Sequence, residues 1–387
     1  SWRYCNGSFG NMVKKRSLGF DGSRASHCGF KEPGVLLRVG SRHSAIFSCF
    51  GNNELAMMDW ILSQYSAIQN WMMQFVVIPL LYAVDGMSYA EDSVDGVDWF
   101  LLGLLQVLVI ALILVPLEKI KPADGTPMDK SAHQSRWVDI FYTLIHRLGL
   151  FKFILFLLFA DWFFYLDGQL HDLGFDRLNV ESWWPGVSSI PWVSFVVYMV
   201  VLDFAEYVYH RASHRWNWWW QLHALHHSQR HMSVWTDNRN HILDDLGHSA
   251  VFALVALIIG VEPIQYLWLL AISQLIQSWQ HGNFDFDHGF LKYLLISPRY
   301  HRLHHAIGLG HEVQGKPGVL GGCNFGILFP WWDMLFGTAI FTKDTHPTGV
   351  RGLSFMNRYI LPSSVVMFEY DIPAGISSRL NSGILST

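Results

Sequence analysis

Residues 203–227 read DFAEYVYHRASHRWNWWWQLHALHH and place two histidine clusters directly after an apolar segment. The clusters are HRASH at His210–His214 and HALHH at His223–His227, and a third, HRLHH, follows at His301–His305. Residues three and four positions apart share one face of a helix, so each cluster is expected to present its imidazoles in one direction. Eight such rings exceed what one metal ion needs and indicate two ions. The eight candidate ligands are His210, His214, His223, His226, His227, His301, His304 and His305.

Histidine suits a site of this kind because neutral imidazole binds iron, zinc and copper without adding negative charge. Two metal ions about 3.5–4 Å apart can hold an oxygen species between them. The first cluster continues the apolar stretch 190–209, so the metal ions are expected beside a membrane surface. A reacting carbon along a lipid chain can reach that position.

Two carboxylates precede the first cluster. Asp203 and Glu206 lie on the helix face of His210 and are predicted to orient a ligand imidazole through its second nitrogen. A buried carboxylate in an apolar helix is costly unless it has such a partner.

The composition is that of an apolar protein, with 51% hydrophobic and 15% charged residues. Eighteen tryptophans, several of them adjacent, indicate aromatic belts at a membrane interface, with a large aromatic core as the alternative. The net charge of −4 argues against a nucleic-acid partner. The four cysteines form no CxxC pair and predict no disulfide framework.

Several apolar stretches are candidates for membrane helices. Residues 99–117 and 190–209 have about the length that a bilayer requires. Residues 138–165 contain charged positions and predict a broken or partly interfacial helix. Residues 249–279 form two apolar halves around Gly260-Val261-Glu262-Pro263, which fits a re-entrant hairpin as well as two spans. The sequence therefore predicts an all-α integral membrane protein with three to four transmembrane helices, a short helical hairpin and a cap that carries the histidines.

The charges of the connecting segments predict an orientation. Residues 85–98 contain five acidic residues and no basic one. Residues 118–136 and the surroundings of the histidine clusters are rich in basic residues, which favours the cytosolic side. The basic residues are Lys119, Lys121, Lys130, Arg136, Arg211, Arg215, Arg230 and Arg239.

The chain divides into three parts by composition. Residues 1–56 are basic, poor in acidic residues and without apolar periodicity, which predicts a disordered segment; an organelle transit peptide is the alternative. Residues 57–345 are predicted to form the membrane domain. Residues 346–387 form a tail without a recognisable role.

The histidine clusters and their surroundings resemble the fatty acid hydroxylase/sterol desaturase superfamily. The likeness extends over about residues 99–345. It includes the lead-in Asp203–Arg211 and the stretch Arg239–Asp244, in which Ile242 and Asp244 replace a proline and a glutamate of the family pattern. It also includes Gln280–Asn283 and the closing segments Pro298–His305, Asn324–Gly326 and Trp332–Thr338. By this resemblance His241 and His281 join the eight as ligands.

The resemblance implies a membrane-bound enzyme with two histidine-bound iron ions and dioxygen as co-substrate. Such an enzyme hydroxylates or desaturates an unactivated C–H bond of a lipid; sterol, fatty acyl, sphingoid, carotenoid and ether-lipid substrates are all compatible. Electrons must come from outside, because no GxGxxG follows a strand and no CxxCH is present. A b-type cytochrome, a ferredoxin, a reductase or a reduced pterin could supply them. A zinc transporter or sensor without redox chemistry, and a zinc-dependent lipid hydrolase, are the alternatives.

Overall fold

The computed structural model describes residues 52–125, 130–174, 184, 191–261 and 263–350. Most of the predicted segment 1–56 and of the predicted tail 346–387 lies outside these residues, so the predicted three-part division stays a prediction. The described part is mostly helical, as expected.

The first described helices are two long rods. Helix α1 (Asn52–Met72) continues through a π-helical turn (Met73–Val77) into α2 (Ile78–Ala83). After a 3-10 turn (Met87–Tyr89), the second rod comprises α3 (Asp92–Val109), a π-helical turn (Ile110–Leu114) and α4 (Val115–Ile120). Asp92 and Asp95 lie in the first turn of α3, where negative charge stabilises a helix.

The apolar stretch 138–165 is divided between α5 (Lys130–Arg147) and α6 (Leu150–Asp172). Gly149 separates them with a φ of 80°, a conformation that a side chain disfavours. The expected break is therefore present, and it lies at a glycine.

Four helices follow: α7 (Pro191–Ser213), α8 (Asn217–His223), α9 (Ile242–Ile259) and α10 (Pro263–His281). Gly260 ends α9 in the left-handed conformation, so the predicted hairpin consists of two full helices. Tyr198 and Leu202 of α7 pack against Phe252 of α9 and Leu269 of α10.

Three segments are long and apolar enough to cross a membrane, judged over the described residues by length and composition. They are Asp92–Ile120, Trp192–Ser213 and Ile242–Ile259. The first two correspond to the predicted spans at 99–117 and 190–209. This is the helix content expected of an integral membrane protein.

The remaining elements are short and surround the histidines. They are α11 (Pro298–His304), the antiparallel strands β1 (Glu312–Val313) and β2 (Lys316–Leu320), α12 (Trp331–Phe336), and 3-10 turns at His226–Ser228, Thr236–Asn238 and Gly289–Tyr293. The β1–β2 hairpin departs from the predicted all-α fold. It lies in the insertion between His305 and Asn324, where nothing in the sequence resembled a known pattern.

A buried arginine joins the apolar helices to the histidine region. Arg147, at the end of α5, forms a 2.5 Å salt bridge with Asp237 and hydrogen bonds to Gln106 of α3 and Gln274 of α10. Ser278 of α10 donates to the same Asp237 carboxylate. Because a buried charge is stable only when paired and hydrogen-bonded, this network fixes α3, α5 and α10 against the loop that follows the second histidine cluster.

Candidate metal centre

Nine buried histidines form two adjacent groups of ring nitrogens. In each group, one nitrogen from every ring lies within 4.8 Å of the others. The five-histidine group comprises His210, His214, His223, His227 and His304. The four-histidine group comprises His226, His281, His301 and His305. The rings of His227 and His305 stack with centroids 4.3 Å apart, so the two groups touch.

Histidines four positions apart belong to the same group, whereas a histidine three positions after another belongs to the other group. The pairs His210/His214 and His223/His227 both belong to the five-histidine group, and His301/His305 belongs to the four-histidine group. His226, three residues after His223, faces the four-histidine group, and His304, three after His301, faces the five-histidine group. The expectation that each cluster presents all its rings in one direction is therefore wrong.

The local backbone explains this division. Helix α8 ends at His223, and His226 and His227 lie in a separate 3-10 turn. Helix α11 begins at Pro298 after Ser297, whose hydroxyl accepts a hydrogen bond from Tyr300 N, and ends at His304. Short helices that end within a cluster allow neighbouring rings to diverge, whereas a long helix would keep them on one face.

The spacing of the nitrogens is that of ligands around a common ion. Within the four-histidine group, Nε2 of His281 lies 3.1 Å from Nε2 of His226 and 3.0 Å from Nε2 of His301. In the five-histidine group, Nε2 of His214 and of His227 are 3.1 Å apart. Two nitrogens bound at right angles to one ion, at about 2.0–2.1 Å, would be about 3 Å apart.

Several rings are held by their other nitrogen. Nδ1 of His210 donates to Phe325 O, Nδ1 of His304 to Cys323 O, and Nδ1 of His281 to Gln277 O, each at 2.8 Å. A neutral ring whose proton is on Nδ1 carries its lone pair on Nε2. Nε2 of His210 and of His304 are buried without a hydrogen-bond partner. Buried lone pairs that accept no hydrogen bond are suited to binding a metal ion.

His223 is held by a carboxylate instead. Its Nδ1 lies 2.9 Å from Oδ2 of Asp244, while its Nε2 is buried without a partner. Asp244 also accepts hydrogen bonds from Tyr209 OH and Trp219 Nε1, each at 2.9 Å. Asp244 was absent from the predicted site residues, although the stretch Arg239–Asp244 contained the signal.

Burial favours the neutral form of six of these rings, and neutral imidazole is the form that binds a metal. Burial, with a further contribution from neighbouring rings, holds the pKa of His226, His227 and His305 well below 6.5. The same causes lower the pKa of His214, His301 and His304 well below 6.5.

Asp203 and Glu206 do not orient a ligand ring as predicted. The Asp203 carboxylate accepts hydrogen bonds from Leu328 N at 2.7 Å, Phe329 N at 3.2 Å and Trp332 Nε1 at 2.9 Å. Glu206 contacts Nε2 of His248 at 3.0 Å. The hydrogen bonds of Asp203 anchor the closing segment, and the contact of Glu206 joins α7 to α9.

His241 also lies apart from both groups. It forms the N-terminal cap of α9, where its Nδ1 accepts a hydrogen bond from Leu243 N at 3.1 Å. Of the ten predicted ligands, the structure therefore brings together nine.

A buried carboxylate, that of Asp333, organises the closing segment. Asp333 accepts hydrogen bonds from Phe325 N at 2.9 Å, Gly326 N at 2.7 Å and Tyr300 OH at 3.0 Å. The carbonyl of Phe325 is the one that accepts from His210. Asp333 thus positions the His210 ring indirectly, through the peptide group between Phe325 and Gly326.

Comparison with known proteins agrees with the site. Residues 195–338 match the family described as fatty acid hydroxylase. The ornithine lipid hydroxylase OlsE of Rhizobium tropici is 32% identical over 143 residues, which are 37% of this chain and 40% of that protein. The alkylglycerol monooxygenase of Homo sapiens is 30% identical over 148 residues, 38% of this chain and 31% of that protein.

A Delta(7)-sterol 5(6)-desaturase of Gibberella zeae is 23% identical over 177 residues, 46% of this chain and 49% of that protein. The chain thus spans less than half the length of each of these three relatives. No solved structure matches the chain.

Proposed function

We propose that this chain, which carries a domain of the fatty acid hydroxylase/sterol desaturase superfamily at residues 195–338, is a membrane-bound di-iron oxygenase that hydroxylates or desaturates a lipid. The observation that carries the proposal is the pair of touching groups with nine buried imidazoles. We assign these nine histidines as the ligands of two iron ions and leave His241 out of the set.

The ligand type favours iron over a hydrolytic zinc pair. Both groups consist of imidazoles, and Asp244 is bound to the far side of His223 rather than to either group. When bound, two iron ions supply the activation of dioxygen and the oxidation of an unactivated C–H bond. The protein's own contribution is to keep the rings neutral, to direct their lone pairs inward and to exclude water.

The tautomers of four of the nine rings are held by three carbonyl groups and one carboxylate, from Phe325, Cys323, Gln277 and Asp244. Because these acceptors come from separate segments, the folded state alone assembles them. A ligand set that is oriented before the metal binds loses little energy to rearrangement.

We further propose that the centre faces the cytosol. Helix α7 ends at Ser213 among Arg211 and Arg215, and the rod Asp92–Ile120 has an acidic beginning and a basic segment after its end. Both patterns follow the positive-inside tendency. Electrons would then come from a cytosolic donor such as a b-type cytochrome, a ferredoxin, a reductase or a reduced pterin.

The substrate class is a lipid. The relatives are named for ornithine lipid, alkylglycerol and sterol chemistry, and such molecules share a large apolar part. The position of His210 and His214 at the end of a candidate span supports this class, because membrane lipid would be close to the centre.

The proposal is tested on protein purified from cells grown with iron. We expect about two iron ions per chain and dioxygen uptake when a reductant and a membrane lipid extract are added. Comparison of lipids from cells with and without the chain should reveal a gain of one oxygen atom or a loss of two hydrogens. Iron-loaded protein that consumes no dioxygen with any lipid or donor would refute the proposal. Zinc in the preparation would not, because zinc binds nitrogen sites more tightly than iron and can replace it.

A further inference from the structure

A cavity of about 1030 Å³ lies beside the five-histidine group. Its walls are the last turns of α7, the β1–β2 hairpin and the segment that follows α12. His214, Cys323 and Phe325 form the wall that it shares with the five-histidine group. The Phe325 ring lies 5.2 Å from the ring of His214, so an aromatic side chain and a candidate metal ligand lie side by side in this wall.

One side of the cavity is apolar and continues a candidate membrane span. Val208 of α7 and Phe336 of α12 line it, and their exposed fractions are 49% and 46%. Phe336 stacks on Tyr207 and lies 6.4 Å from the ring of Phe204, also on α7. Leu335, next to Phe336, is 70% exposed. Exposed apolar side chains therefore lie both on the outer face of α7 and at the edge of the cavity.

The cavity is also lined by basic residues. Arg211, Arg215 and Lys316 line the cavity, and the one carboxylate among its described lining residues is Glu312. Arg215 and Lys316 are exposed. The Arg211 guanidinium donates to Tyr207 OH at 2.9 Å and lies over the Tyr207 and Phe336 rings. Three cations against one carboxylate give the cavity an excess of positive charge.

We propose that this cavity binds the substrate as an anionic amphiphile, a long hydrocarbon chain that ends in a carboxylate or a phosphate. Arg215 and Lys316 bind the headgroup, since guanidinium and ammonium groups are the usual partners of these anions. The hydrocarbon enters between Val208 and Phe336 and extends towards Phe325. The inference deepens the proposed oxygenase function by naming the substrate class, and it rests on that function.

The β1–β2 hairpin contributes to both the charge and the shape of the cavity. Lys316 lies at the start of β2, in the insertion between the third histidine cluster and Asn324. Ligand pockets in proteins have volumes of about 300 to 1,000 Å³, so this cavity is at the upper end of that range.

Binding is tested directly, without turnover, on the full-length iron-loaded protein in detergent. The ligands are four amphiphiles with the same twelve-carbon chain, bearing a carboxylate, a phosphate monoester, a phosphocholine or an uncharged glycerol headgroup, together with inorganic phosphate alone. Equilibrium dissociation constants are measured for the native protein, for R215Q/K316Q and for the matched control K130Q, whose lysine is exposed at the start of α5 outside the cavity.

We expect the two anionic amphiphiles to bind at least fivefold more tightly than the uncharged one, and R215Q/K316Q to remove this advantage. K130Q should bind like the native protein, inorganic phosphate should bind far more weakly than either anionic amphiphile, and all three proteins should contain the same amount of iron. Equal affinity for charged and uncharged amphiphiles, or an advantage that R215Q/K316Q retains, would overturn the proposal. Tight binding of phosphate alone would also overturn it, since the site would then be an anion site. Anionic selectivity without dioxygen uptake would leave this inference standing and refute the oxygenase function.

Discussion

Nδ1 of His223 lies 2.9 Å from Oδ2 of Asp244, so this carboxylate fixes which nitrogen of the ring faces the five-histidine group. The substitution Asp244→Asn removes the charge and allows the amide to donate towards the ring. We expect the affinity for one of the two metal ions to fall about 10- to 100-fold, the usual effect of losing such an outer hydrogen bond. Metal titration of the purified variant measures this change.

The neighbouring carboxylate provides the control. Asp245 follows Asp244 in α9 but contacts Nε2 of His146 at 2.8 Å, outside both histidine groups. Asp245→Asn should therefore leave metal affinity unchanged. Equal losses in the two variants would show that the effect comes from a disturbed α9.

His226 and His227 are adjacent in sequence but belong to different groups. We expect His226→Ala and His227→Ala each to lower the iron content from about two ions to about one, and both to abolish product formation. The chain should remain in the membrane fraction, because neither residue lies in a candidate span. Iron analysis and a product assay on membranes measure these effects.

The substitution His241→Ala tests whether the metal ions have nine histidine ligands or ten. His241 caps α9 and lies outside both groups, so we expect this variant to retain both iron ions and most of its activity. Loss of iron equal to that of His226→Ala would restore His241 to the ligand set.

The sequence predicted the parts of this site that depend on short-range spacing. Pairs four residues apart, such as His210 and His214, lie in the same group because one helical turn separates them. The assignment of His226 and His304 to the other group was not predictable in this way, because it depends on where α8 and α11 end. An apolar run such as 99–117 likewise predicts its helix by composition alone.

The hydrogen-bond acceptors that distant segments supply to the histidine rings could not be predicted from the sequence. The carbonyl groups of Phe325 and Cys323 accept hydrogen bonds from His210 and His304. Every residue except proline has the same backbone groups, so no residue type marks a carbonyl that will meet a histidine 115 positions away. For Asp203 the sequence predicted a contact that the structure lacks. Its spacing from His210 predicted a hydrogen bond to a ligand ring, but its carboxylate accepts hydrogen bonds from backbone N–H groups of the closing segment.

Gly103 of α3 marks a close contact between two helices. A Cβ atom at this position would lie 1.6 Å from Arg147 O, whereas one at Gly96, earlier in α3, would meet nothing within 4 Å. We expect Gly103→Ala to destabilise the protein by about 1–3 kcal/mol or more, because backbone cannot move aside as a flexible side chain can. Gly96→Ala should raise stability by about 0.5–1 kcal/mol, the usual gain in a helix. Thermal unfolding in detergent compares the two, and similar shifts would contradict the close approach of α3 to the end of α5.

The stability of the metal-free protein should depend on pH through the buried histidines. Burial lowers the pKa of six of them well below 6.5 in the folded state, whereas in the unfolded chain each titrates near 6.5. The six are His214, His226, His227, His301, His304 and His305. Below pH 6.5 the unfolded state therefore binds more protons than the folded state, so unfolding becomes more favourable as the pH falls.

Each ring that stays neutral in the folded protein should cost about 1.4 kcal/mol of stability at pH 5.5 relative to pH 7.5 or above. We expect the unfolding temperature of chelator-treated protein to be constant above about pH 7 and to fall steeply between pH 6.5 and 5.5. His305→Gln removes one titrating ring and should make this dependence shallower. Added iron should shift the fall to lower pH, because the metal and the proton compete for the same nitrogens. An unfolding temperature that is the same at pH 5.5 and 7.5 would mean that these rings take up protons within the folded protein, and a binding site built from neutral imidazoles would then be wrong.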